Sequence, residues 1–207
     1  MGRRIESLTL RTLDDLPLRC RGCVHWELSP LEQALAMEHD PEFEKEAWCS
    51  AVSLETGTCG RVIYVDDVPA GYALAAMPEN LPRAEFFPAR VSKDAYLLAT
   101  MHVLPEFAGQ GIGKTLIQAV LKDAKEHGKR ALECFADRQW TRPECMIPAE
   151  FCERVGFKVK RDHPRFPLMR IDVRSLAKVA ETMEAAMEAF LESVRIPSEP
   201  APRPAGR

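Results

Sequence analysis

The sequence predicts an α/β (α+β) fold, a mixed central sheet of six to seven strands flanked by helices, with an extra C-terminal helix. Three observations carry this. Short runs of strand character are interspersed with longer runs of helical period, the pattern of sheet and helix in one domain. The run "AYLLATMHVL", Ala95 to Leu104, is apolar on both faces and belongs at the centre of a sheet, where neither face meets water. Leu116, Ile117, Val120, Leu121 and Ala124 recur at helical spacing and provide a layer to cover that sheet.

In chain order, "IESLTLRTL" alternates from Ile5 to Leu13 and reads as the first strand. A polar, acidic link follows. Ser29 with Pro30, and Asp40 with Pro41, each form an N-cap and first-turn pair, predicting two helices over "LEQALAMEH" and "EFEKEAWCSAVSL". Val62 to Val65 and Gly71 to Ala76 form a hairpin around an Asp, Pro and Gly turn. Pro105 ends the central strand, and Gly128 caps the helix after it. "RALECFA" is a strand, "PAEFCERV" a short helix stopped by Gly156, and "FKVKRD" and "LMRIDV" a closing strand pair. The domain is expected over residues 1–174. Leu176, Val179, Met183, Met187, Phe190 and Val194 then stripe a helix over 175–195, suited to core packing or to a homodimer. The proline-rich 196–207 reads as a disordered tail.

A chain of 207 residues with 46% hydrophobic composition can bury one substantial core. Its net charge of -3, from 28 basic and 31 acidic residues, provides no positive field for nucleic acid or an anionic membrane. No apolar run approaches the roughly 18 residues of a membrane span. The opening segment lacks the apolar stretch of a secretory signal, so a cytoplasmic location is expected. Seven cysteines, an odd number, are expected as reduced thiols. Cys20 and Cys23 in "CRGCVHWE" have the spacing with which two thiolates share a zinc ion, and Cys49 or Cys59 could complete the set. Those two lie ten residues apart rather than at a short repeat, which favours structural thiols and no metal.

The chemistry concentrates in "EFAGQGIGKTL", residues 106 to 116. Glycines at 109, 111 and 113 stand between the central strand and a helix, where unpaired backbone N–H groups gather at the positive end of the helix dipole. Such a cradle suits phosphate, because no β-carbon keeps a bulky pyrophosphate from the amides. The plain alternative is a tight turn. The dinucleotide pattern G-x-G-x-x-G fails at Lys114. The P-loop pattern of nucleotide-binding proteins nearly fits "AGQGIGKT", but "LPEF" intervenes where a P-loop follows its strand directly.

A third pattern fits better. "VLPEFAGQGIGKTLI", Val103 to Ile117, resembles the acyl-CoA loop of the GNAT superfamily of N-acetyltransferases, and "PAEFCERVGF", 148 to 157, is similar to that family's last conserved segment. The element order also resembles a GNAT-like sheet over roughly residues 5 to 173. "CRGCVHWE" resembles the opening of a bacterial subgroup with a C-x-x-C-x-x-W-E segment. Two departures are visible: Ala108 stands where Arg or Gln is usual, and Cys152 where many members have tyrosine.

The resemblance implies acetyl-CoA as cofactor and a primary amine as acceptor, a protein lysine or a small molecule, attacking directly in a ternary complex. It implies that Gly109, Gln110, Gly111, Ile112, Gly113, Lys114 and Thr115 hold the pyrophosphate while Met101 and Val103 pair with pantetheine. It also implies a strand N–H near Val103 for the developing oxyanion, a contribution of about 3 kcal/mol. His102, at the strand's end, titrates in the range a general base needs, with a hydrogen-bonded structural role as its alternative. Asp94, Glu85 and Glu133 are further candidates. Cys152 could protonate the departing thiolate, or pack as a small apolar residue. Glu32, Glu38, Asp40, Glu42, Glu44 and Glu46 on the early helices could attract a cationic acceptor or be a solvated face. A cradle that binds acyl-CoA without catalysis is the competing class.

Overall fold

The structure, a computed structural model, describes residues 2–140 and 145–175. One compact unit ends at Val173, and the apolar stripe from Leu176 onward and the tail lie outside the described residues.

The first strand, β1 (Arg3–Ser7), is shorter than its alternation suggests. Leu10–Asp15 turn instead into a 3-10 helix, because Leu13 and Leu16 share its three-residue period and bury one side. Thr12 secures the turn, its hydroxyl accepting from the Thr9 amide and donating to the Ser7 carbonyl, both at 3.0 Å. The polar link after it contains a short helix, α1 (Leu18–Arg21). The two capped helices form as the sequence predicts, α2 (Pro30–Glu38) and α3 (Pro41–Thr56). Ser29 and Glu32 complete a reciprocal capping box, worth about 1 kcal/mol.

The hairpin comprises β2 (Gly60–Val65) and β3 (Val68–Ala76). Of the expected Asp, Pro and Gly turn, only Asp66–Asp67 make it, with φ of 48° and 65°. Asp tolerates the left-handed region that a two-residue turn demands, so Pro69 and Gly71 fall within the strand. β4 (Ala95–Val103) is the central strand; a single 3-10 turn, Pro105–Phe107, separates it from α4 (Ile112–Glu126). β5 (Ala131–Asp137), a two-residue β6 (Ile147–Pro148), α5 (Ala149–Arg154), β7 (Lys158–Arg161) and β8 (Leu168–Asp172) complete the unit.

Among the described residues the sheet has eight strands in the order β1-β2-β3-β4-β5-β8-β7, with β6 paired to β5. It is mainly antiparallel; β4 and β5, joined through α4, run parallel. The faces of β4 alternate between two cores. Tyr96 stacks on His127 at the end of α4, with ring centres 5.5 Å apart, whereas Leu97 joins a cluster containing Trp26 and Phe135. Trp26, Phe87 and Phe135 form an aromatic cluster, with the Phe87 ring centre 5.1 Å from that of Trp26 and 4.4 Å from that of Phe135. "CRGCVHWE" thus acts structurally: Trp26 is buried, and its indole N–H donates to the Cys145 carbonyl at 2.6 Å.

One feature of the sheet prepares the site. β4 and β5 pair only from Ala95–Leu97 with Ala131–Glu133, then diverge. A register shift opposite Leu74 and Ala75 leaves Ala99 as the extra residue of a bulge, which bends β4 away from its neighbour.

Candidate active site

Leu104 donates its amide to the Ala70 carbonyl at 2.9 Å, toward β3. Strand alternation therefore turns the amides of Val103 and Met101 to the opposite edge, the one β5 has vacated. That gap opens a cleft of about 770 Å³. Its walls are largely apolar, from Met101, Val103, Phe107, Ile147, Phe151 and Val155, and its charged lining residues are Arg19, Lys114 and Arg154. Among the described lining residues none is acidic.

The glycine loop closes one end. Gly109 and Gly111 hold φ of 76° and 79°, and a β-carbon at either would meet no atom within 4 Å. Their role is conformational. Gly111 occupies the N-cap of α4 with no side chain capping the helix, and its carbonyl receives the Thr115 amide at 3.1 Å. The amides of Ile112, Gly113 and Lys114 thus belong to the first turn, which has no intrahelical acceptor for them. Gly113 differs. Its ideal β-carbon would lie 2.9 Å from Phe151 Cζ and 3.3 Å from Met101 Cε, so this glycine lets α4 close against the cleft wall. Arg3 steadies the loop from outside by donating to the Gln110 carbonyl at 2.8 Å.

His102 lines the other end. Its imidazole is half-buried, and an Arg19 guanidinium nitrogen stands 3.4 Å from Nε2 and 3.5 Å from Nδ1. Burial, then the Arg19 charge, holds its pKa below the ordinary imidazole value, so the ring is neutral and basic near pH 7.

The structure brings Met101, His102, Val103, Gly109, Gly111, Ile112, Gly113 and Lys114 around the cleft. Other expected residues lie elsewhere. The Gln110 side chain donates back to the Glu106 carbonyl, and Thr115 donates to the Gly111 carbonyl and lines a separate hollow with Arg61 and Gln118. Cys152 is 1% exposed and faces the Cys134 thiol at 3.6 Å, on the core side of α5. Asp94 is held by both terminal nitrogens of Arg170, and buried Glu133 by Ser92, Lys160 and Arg170. Both belong to the paired end of β4 and β5. Glu85 lines neither the cleft nor its neighbour. The four cysteines weighed for zinc are divided: Cys49 faces Cys59 at 3.0 Å while Cys23 faces Cys145 at 2.8 Å. No metal-ligand group of three forms among the described residues.

Arg19, Trp140, Phe151 and Arg154 line the cleft without having been anticipated. For Phe151 a signal existed: helical period puts residues 151, 154 and 155 on one face and 149 and 152 on the other.

The residues present fit a long, partly apolar ligand ending in phosphates. Strand amides turned away from β3 lie along its path, and a glycine cradle and, among the described lining residues, cations without carboxylates lie at its end. This combination of bulged strand, splayed neighbour and bare helix N-terminus defines an acyl-CoA-dependent acyltransferase. A sequence model of the acetyltransferase (GNAT) family matches residues 21–157, and the chain belongs to that family, with acetyl-CoA as its cofactor. The fold is similar to PaiA N-acetyltransferase from Thermoplasma acidophilum in complex with coenzyme A, at TM-score 0.55 and 17% identity over 83% of this chain and 99% of that one. An N-acetyltransferase from Staphylococcus aureus Mu50 gives 0.54 at 14% over 84% and 99%. YncA from Salmonella typhimurium, with its cofactor acetyl-CoA, gives 0.53 at 14% over 84% and 95%. No curated protein matches the sequence.

Proposed function

We propose that the protein is an N-acetyltransferase that acylates a primary amine by direct attack in a ternary complex. The observation that carries this is the arrangement along β4: free amides at Met101 and Val103, first-turn amides of α4 beyond them, and the neutral imidazole of His102 between two cavities. Acetyl-CoA supplies the acetyl group as an activated thioester. The amides at 112–114, with Lys114, bind its diphosphate. The Met101 and Val103 amides orient the pantetheine, and the apolar walls exclude water from the thioester. The Val103 N–H is placed to donate to the oxygen on which negative charge develops. His102 accepts the proton that an ammonium acceptor must lose before it attacks.

Burial of Cys152 favours a second reading, an acyl-CoA-binding module without turnover, since this thiol is then not exposed to the cleft to protonate the leaving thiolate. One experiment separates them. Calorimetry should show saturable binding of acetyl-CoA to the intact protein, and an amine panel should release free coenzyme A. Binding without release establishes the module, and absence of binding removes both.

A further inference from the structure

Beside the cleft lies a second cavity of about 200 Å³, which shares Arg19, Met101 and His102 with it and is completed by Cys20, Tyr72 and Thr100. With water occupying about 30 Å³ per molecule, this space holds roughly seven waters, the bulk of a small metabolite. Burial keeps the Tyr72 phenol protonated, and His102 is neutral. Arg19 is thus the one full charge among the described lining residues, and none of them is acidic. Among the described residues Arg19 has no carboxylate partner; its guanidinium stands within hydrogen-bond distance of the His102 ring. The acidic residues of α2 and α3 line neither cavity.

A purely cationic amine entering here meets a like charge and, among the described lining residues, no counter-ion. An acceptor carrying a carboxylate gains charge-assisted, two-pronged hydrogen bonds without breaking an ion pair to any described residue. We infer that this cavity is the acceptor subsite and that it selects a small amino carboxylate, with Arg19 binding the carboxylate while the amine faces His102. The inference rests on the transferase reading above and replaces the cationic acceptor that the acidic helices suggest.

The test pairs each amino carboxylate with its carboxamide and its decarboxylated amine, and measures both equilibrium binding to the protein saturated with coenzyme A and kcat/KM with acetyl-CoA. Amino carboxylates should bind and react about tenfold or more better than their uncharged or cationic counterparts. In Arg19→Gln the preference should vanish through KM, and Arg19→Lys should restore it in part; acetyl-CoA affinity measured on each variant separates this from a general effect of Arg19 on the cleft it also lines. Equal or better use of diamines or lysine peptides would overturn the inference, as would a preference that survives in Arg19→Gln. Binding of amino carboxylates without turnover would sustain the subsite and remove the transferase reading. A protein that binds no acetyl-CoA would overturn both.

Discussion

The ring of Phe151 occupies the space into which residue 113 would project a β-carbon, so α4 approaches the wall of the cleft only because that residue is glycine. Gly113→Ala should push the ring into the cleft and weaken acetyl-CoA binding, with a stability cost of about 1–3 kcal/mol. Gly111→Ala, where nothing lies within 4 Å but φ is 79°, should cost about 1 kcal/mol through backbone strain alone. Denaturation midpoints and calorimetry on both variants check the distinction. A combined Gly113→Ala and Phe151→Ala variant should recover part of the affinity.

His102 and Arg19 determine the pH response. A base acts only when unprotonated, so activity falls as pH drops through its pKa, which burial and Arg19 hold below the ordinary imidazole value. The acid limb of kcat/KM should therefore lie below about pH 6.5. Arg19→Gln should move that limb upward, and His102→Ala should abolish it and lower kcat by about a hundredfold or more. A limb that stays in place in His102→Ala would assign the proton transfer to another group.

Lys45 and Glu27 form a buried ion pair, with side chains 3% and 2% exposed. Lys45 also donates to the Cys23 carbonyl at 2.9 Å, tying α3 to the segment after α1. Lys45→Met leaves the Glu27 carboxylate buried and unpaired and should cost about 3–5 kcal/mol in chemical denaturation. The double variant Lys45→Met, Glu27→Leu should regain most of that loss, because neither charge then needs solvation.

Cys23 should be the reactive thiol. The hydrogen bond from Cys145 is the largest cause that brings it down to about 7, against the opposing effect of burial. The thiolate fraction rises as pH passes that value, so the rate of iodoacetamide labelling, followed by peptide mass spectrometry, should titrate with a midpoint near 7 at Cys23. Cys145→Ala should return the midpoint toward an ordinary thiol's, about 8.5.

Legibility followed locality. Helix starts at Ser29 and Asp40 were visible because a cap is a contact between residues three apart. The central strand was visible because burial on both faces leaves a continuous apolar run. The first strand was overread where alternation and a three-residue period coincide, around Leu13 and Leu16. The hairpin turn is narrower than the sequence suggests, because Asp, Pro and Gly are all turn formers and only the pairing of β2 with β3 selects the two aspartates.

The sequence by itself determined the element order and the glycine-bearing turn, since both depend on backbone preferences that neighbouring residues set. Only the tertiary structure decided that Gly113 answers to Phe151, that Cys152 faces Cys134 and not the cleft, and that Arg19 stands against His102, eighty-three residues away along the chain. Those relations arise where β4 parts from β5 and α1 packs beside the gap. No local preference encodes which side chains meet across such a space, because the meeting is fixed by how the whole sheet bends.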